Sequence, residues 1–334
     1  MREAWNLGPH QKITPGFAEK LCFTVTATGS YEEAAQVASK WAQSMDDSTL
    51  YALVQRMGGL AQEQAQRRYE AVPQERLPQR SPSALGVLMV DGFQVQHRGA
   101  GWGKKHTKKK RVEWHELKLG VFYRHEESAH TETGRGILTD KLVVSWQDKA
   151  LELGRRLNWE ALREGLGRAQ QMLFLGDGAE WVWNLKKDRW NAAVELLDFY
   201  HGSEHLWNLG RALYGEKQPA LSQWVEPLQH QVRHGEQKQA LRRIARIKKR
   251  RGEAGRVIER EQNYFITHAA RMNYQEIAKR GWPIGSGSVE SACRQKQCRF
   301  KRCGQFWTKE GLGKLCALDE ARRNRHWDEL WNFN

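Results

Sequence analysis

Three things are scarce in this chain. The first is a long apolar run: none approaches the ~20 residues needed to cross a bilayer, and the opening stretch Met1–His10 lacks the apolar segment of a signal peptide. Membrane insertion and secretion are therefore not expected. The second is paired cysteine. The five cysteines, Cys22, Cys293, Cys298, Cys303 and Cys316, are odd in number and form no CxxC pair. The spacing of five from Cys293 to Cys298 to Cys303 turns each off the previous face of a helix. A zinc site is not expected, and free thiols in a reducing cytoplasm are the default. The third is negative charge: 39 Asp and Glu stand against 54 Lys and Arg, a net +15 in 334 residues. So large an excess points to a polyanionic partner, most simply nucleic acid, with solubility alone as the plainer alternative.

Fifteen tryptophans are present instead. Most belong in a core, and exposed ones can stack nucleobases. Residues 30–60 read as two helices. Ser30 is placed as an N-cap, with Glu33 completing a capping box and Ala34, Val37, Ala38 and Trp41 as the apolar stripe. After a turn at 43–46, Asp46 or Asp47 caps a second helix through Leu50, Leu53, Val54 and Met57, weakened by Gly58-Gly59. The arrangement suits a DNA-reading helix-turn-helix, and equally an ordinary helical pair. Residues 71–83, proline-rich and polar, read as a linker.

Beyond the linker the texture is that of strands. Residues 84–90 form an apolar run ending at Asp91-Gly92. Residues 97–111 form a basic glycine-containing loop. Val112–Tyr123 alternates, with Leu117, Leu119 and Val121 on one side. A third strand is expected within 136–146, a helix in 148–170, a fourth strand at Met172–Leu175 leading to Asp177, and a fifth at Val194–Leu197 ending at Asp198. Three strands, then helix, strand, helix and strand, is an α/β pattern with a mixed sheet in the order of the ribonuclease H-like fold, helices on both faces. Residues 202–280 carry helical, charged periodicity and read as an all-α insertion. The loop IGSGS (284–288) then leads to a last helix near Val289, capped by Ser288. The domain scheme is a helical segment that suits a DNA-binding helix-turn-helix (1–70), the linker (71–83), a catalytic core in two parts (84–201 and 281–334, the second with a basic C-terminal helix), and the insertion (202–280).

In this fold the first and fourth strands are neighbours, so Asp91 and Asp177 can face one spot. Glu290, in the first turn of the last helix, can join them, favoured there by the helix dipole by roughly 0.3–1 kcal/mol. Two carboxylates ~4 Å apart repel by about 4 kcal/mol at an effective dielectric near 20. A cation must compensate, and oxygen ligands suit Mg²⁺ or Mn²⁺. Two such ions ~3.5–4 Å apart are the usual device for in-line phosphoryl transfer. Each Asp-Gly alone is a common turn; the combination with a late Glu and the basic charge is more specific.

The stretches "MVDGFQV", "EWHELKLGVFY", "LGDGAEWVWN", "LLDFYHGSEHLW" and "PIGSGSVESACRQKQCRFKRCGQFWT" resemble the DDE transposases of bacterial insertion sequences, in particular the ISKra type, which are similar to Mutator-like enzymes. The resemblance runs from about residue 84 to 325. It implies a ribonuclease H-like core that uses two Mg²⁺ or Mn²⁺ ions, cleaves at transposon ends and joins the 3′-hydroxyl to target DNA. Carried over, the triad is Asp91, Asp177 and Glu290, and Asp198 with His201 matches the family's Asp-x-x-His motif. The family logic adds a homo-oligomer, at least a dimer when DNA-bound, in the bacterial cytoplasm and on the nucleoid. A nuclease that cuts without joining, and an inactive DNA-binding derivative, are the alternatives.

For DNA contact the candidates are Lys104, Lys105, Lys108, Lys109, Lys110 and Arg111 in the basic loop, each able to neutralise a phosphate, or else a solvated loop. His201 is a phosphate or scissile-site contact, or a structural histidine; with His205 it makes no zinc-protease motif, because "HGSEH" lacks a glutamate directly after the first histidine. Trp207 can stack a base or fill the core. Arg294, one turn beyond Glu290, can hold that acid or a phosphate. Arg299, Lys301 and Arg302 extend the basic surface. The run from Arg242 to Arg251 suits a solvated face as well as a DNA track.

Overall fold

The computed structural model describes residues 13–42, 45–70, 83–103, 110–132, 136–165, 169–248 and 250–331. At its centre is a five-stranded mixed sheet in the order β5-β2-β1-β6-β7. The strands are β1 (Leu85–Arg98), β2 (Val112–Arg124), β5 (Leu142–Trp146), β6 (Gln171–Gly176) and β7 (Val194–Leu197). β2 pairs antiparallel with both β1 and β5, whereas β1, β6 and β7 run parallel. A short hairpin of β3 (Ser128–His130) and β4 (Gly136–Leu138) stands apart.

The centre of the sheet is apolar on both faces because helices cover both. Val87, Leu88, Met89 and Val90 are all buried, each such side chain contributing roughly 1.5–3 kcal/mol. On one face lies α4 (Ala150–Arg163), whose Leu157 occupies the space a side chain at Gly120 would need. On the other lies α11 (Gly287–Phe300), where Ser288 hydrogen-bonds Tyr123 and Cys293 hydrogen-bonds Asp91. Between β6 and β7 runs α5 (Glu180–Arg189).

β1 does not stop at Asp91, as its apolar run and Asp-Gly predict. It continues to Arg98, paired with β2 throughout. What ends at Asp91 is the parallel pairing, since Val90↔Gly176 is the last match with β6. Beyond that point the strand alternates, with Phe93, Val95 and His97 buried and Gln94 and Arg98 exposed. That is the pattern of a ribbon covered on one side. Its end is tied down by Arg98 N–H donating to the Trp307 carbonyl (2.8 Å) and Trp307 N–H to that of Gln96 (3.0 Å).

The insertion between β7 and α11 comprises α6 (Phe199–Tyr214), α7 (Pro219–Arg233), α8 (Gln237–Ala245), α9 (Gly252–His268) and α10 (Tyr274–Lys279), with α6 packed on α7 and α9. The N-terminal α1 (Pro15–Ala27), α2 (Tyr31–Ala38) and α3 (Asp47–Glu70) join the same buried core. Ser30 caps α2, accepting from Glu33 N–H at 3.0 Å, and Asp46 caps α3 through Thr49 N–H at 2.7 Å. Trp41 falls beyond the end of α2 and is exposed, edge-on to Phe17 at 5.9 Å, rather than on a buried stripe. The 24-residue α3 lies along α12 (Lys309–Arg323). Gly58 permits this, because a Cβ there would strike the Lys314 backbone. The short α13 (Trp327–Trp331) ends the described chain. The linker predicted at 71–83 lies outside the described residues except for Ser83. No described helix is long and apolar enough to cross a membrane.

Candidate active site

The register that ends the parallel pairing builds the site. With Val90 opposite Gly176, the next residues, Asp91 and Asp177, stand beside one another at the mouth of the sheet. Asp91 accepts from Gly92 N–H at 2.6 Å and from the Cys293 thiol on α11. Asp177 accepts from Ala179 N–H at 2.9 Å, turning the chain into α5. Gly178 must be small: a Cβ there would enter the Tyr264 ring from α9. Burial pushes both carboxyls above their ordinary range. Asp177 raises Asp91 further; Glu116 and Asp198 do the same for Asp177. His201 lies within electrostatic reach of both and opposes the shift.

Asp198 follows β7 directly. It caps α6, accepting from His201 N–H at 2.7 Å, and is fully buried. Its other oxygen accepts from Ser286 N–H in the loop before α11. Phe199 N–H donates to the Ile284 carbonyl (3.1 Å), so Asp198 and its neighbour pin that loop to the sheet. Ser286, not Ser288, is the residue before the helix, and its hydroxyl donates to Glu290 at 2.6 Å. Among the described residues, Asp198, His201 and Glu290 form a group whose ligand atoms all lie within 4.8 Å of one another. The two predicted aspartates are thus side by side, and Glu290 gathers with Asp198 and His201.

Electrostatics set this pocket apart. Nearby acids have cations: Glu116 has Lys118 at 2.8 Å, and Glu195 has Lys186 at 3.1 Å. Among the described residues no Lys or Arg nitrogen comes within the 4.0 Å ion-pair distance of Asp91, Asp177, Asp198 or Glu290. Arg294 is exposed and forms no ion pair with Glu290; Ser286 holds that acid instead. A second histidine, His205, hydrogen-bonds the buried Glu261 at 2.5 Å and stacks on Tyr264 at 3.5 Å. Four carboxylates in a chain of net +15, with oxygen donors and one imidazole, are a chemical fit for divalent cations.

The remaining predicted contacts divide. Lys104, Lys105, Lys108 and Lys109 lie outside the described residues. Lys110 is exposed, 5.0 Å from the Trp102 ring centre, and Arg111 is exposed, 3.8 Å from Glu113. Lys301 is exposed, 5.9 Å from the Trp114 ring. Arg302 is exposed but ion-paired to Glu33 at 3.0 Å. Trp207 is half-buried against the core. Arg299 corrects the expectation of a surface contact. It is buried, donates to the Val25 carbonyl at 3.2 Å, and sits over the rings of Tyr31 and Trp307, where it ties α11 to α1. Ser286 and Tyr264 were not singled out from sequence, and Cys293 was weighed there only as a zinc ligand. Only the GSGS loop hinted at one of them.

No family model and no curated protein matches the chain. Five chains of solved structures do. One belongs to the Drosophila P element transposase strand transfer complex. It is 11% identical with a TM-score of 0.31, covering 98% of this chain and 81% of that chain. A likeness this slight assigns neither activity nor partner.

Proposed function

We propose that the protein is a DDE transposase of the ISKra type, cutting DNA at transposon ends and joining the freed 3′-hydroxyl to a target. The observation that carries the reading is the juxtaposition of Asp91 and Asp177 on adjacent parallel strands, with the helix bearing Glu290 laid over β1. Numbered as five in chain order, the sheet's strands run 3-2-1-4-5, the order of the ribonuclease H-like fold. The motif resemblance supplies the reaction, and the basic charge fits its substrate.

Asp91, Asp177 and Glu290 would hold two Mg²⁺ or Mn²⁺ ions. When bound, such ions activate the attacking oxygen and stabilise the leaving one. Gly92 and Ala179 N–H groups fix the two aspartates, and the Cys293 thiol holds Asp91 from the α11 side. Ser286 aims Glu290. DNA would approach along the outer half of the β1–β2 ribbon. There Arg98 and Lys110 flank Trp102, itself 4.9 Å from Phe306, offering charge for phosphates and rings for bases.

The test is a plasmid carrying this gene with its flanking DNA, incubated with protein and Mg²⁺ or Mn²⁺. Nicked and then joined products are expected. Asp91→Asn, Asp177→Asn and Glu290→Gln should each lower cleavage by on the order of a thousandfold, several kcal/mol of lost stabilisation, while DNA binding persists. Cutting without joining would make it a nuclease. Full cleavage by any one variant would remove that residue from the assignment.

A further inference from the structure

The grouping of Glu290 with Asp198 and His201, rather than with the two aspartates alone, has a chemical consequence. All three supply ligand atoms within 4.8 Å of one another. Contraction onto a central ion with metal–ligand distances of about 2.0–2.2 Å is a small adjustment. The group is pre-organised by one residue, since Ser286 donates its backbone N–H to Asp198 and its hydroxyl to Glu290. Asp198 is fully buried and has no Lys or Arg partner among the described residues; only N–H groups meet it. Two backbone N–H donors stabilise that carboxylate, and a bound cation would supply the counter-charge that the described side chains do not. His201 is one-third exposed, which leaves the group open to solvent on that side.

We propose that Asp198 and His201 join Glu290 in holding one of the two ions, in a position of mixed nitrogen and oxygen character beside the oxygen-only position between Asp91 and Asp177. Imidazole is a poor partner for Mg²⁺, which favours oxygen ligands and keeps its waters; it suits first-row transition dications. The two halves of the pocket therefore differ in preference. Mg²⁺ or Mn²⁺ is accommodated between the aspartates, and a transition dication is favoured at the histidine. The assignment refines the metal reading above at Glu290 and rests on it for that residue's part in DNA cleavage. Ion binding itself is measured without DNA, so failure to cut DNA would leave this site standing.

The experiment uses the tag-free full chain, stripped of metal and titrated with Mn²⁺ alone. Pulsed electron paramagnetic resonance reads nitrogen bound to the ion, and the free-Mn²⁺ signal gives the affinity. Wild type and Asp91→Asn should both show ¹⁴N coupling. His201→Ala should lose the coupling and bind Mn²⁺ at this site at least about tenfold more weakly. His201→Gln, which keeps a polar side chain, serves as a second variant with the same expectation, and circular dichroism checks the fold of each. The proposal is overturned if wild type binds no Mn²⁺, if it shows no ¹⁴N coupling, or if the coupling survives in folded His201→Ala or His201→Gln.

Discussion

Glu290 and Lys296 ride on the same helix, α11, and the acids around them live under opposite conditions. Around Lys296, which is buried, the chain supplies every counter-charge itself. Asp319 takes the Lys296 ammonium at 2.9 Å, Arg323 at 2.9 Å and Arg322 at 3.1 Å. Burial alone would raise Asp319, but Lys296 and then Arg323 outweigh it and pull it down to about 2. Around Glu290 the chain supplies no Lys or Arg partner among the described residues, and burial pushes Asp91 and Asp177 up instead. A protein with 54 Lys and Arg does not lack cations to place there. The buried cluster carries its own counter-charges, whereas the acid pocket has no Lys or Arg partner among the described residues and, on the reading proposed above, takes its compensating charge from bound ions.

The comparison breaks most visibly at Asp319. Asp319→Ala strands a buried Lys296 and two arginines, which should cost about 3–5 kcal/mol, measured by denaturant unfolding. A loss below 1 kcal/mol would mean that the cluster is not the anchor of α11 on α12.

The acid pocket should answer with the opposite sign. Asp91→Asn keeps an acceptor for Gly92 N–H and removes a charge whose folded pKa is raised. In metal-free buffer near neutral pH it should therefore melt slightly higher than wild type, by about 2–4 °C for each kcal/mol relieved. The advantage shrinks as pH falls through the raised value towards 3.8, because wild type then protonates Asp91 anyway. Asp319 runs the other way. Its contribution is present above pH 3.8 and is lost as pH falls towards about 2. A scan in which wild type and Asp91→Asn melt in parallel at every pH would blur the contrast.

The sequence made much of this pocket legible. Apolar runs leading to Asp91, Asp177 and Asp198 are local signals, and the sheet places two of these acids together by register. The capping of α2 at Ser30 was equally local. What was illegible depends on partners far along the chain. β1 runs past Asp91 because β2 continues beside it, and an apolar run before Asp-Gly cannot announce that. Arg299 reads as surface charge in a basic stretch. Only the arrival of Tyr31 and Val25 from the N-terminal helices makes it a buried clamp. Gly58 reads as a weak point of a helix, whereas the close approach of α12 makes it necessary. The gathering of His201 and Asp198 with Glu290 required the loop at Ser286 to fold back onto β7.

The central claim, that the acid pocket awaits divalent cations, is tested most directly by the melting temperature of the metal-free chain with and without Mn²⁺. Wild type should gain, by about 2.7 kcal/mol of stability at a hundred times the dissociation constant, and Asp91→Asn should gain clearly less. Equal melting of wild type with and without Mn²⁺ would contradict it, and an equal gain in Asp91→Asn would remove Asp91 from the residues that hold the ions.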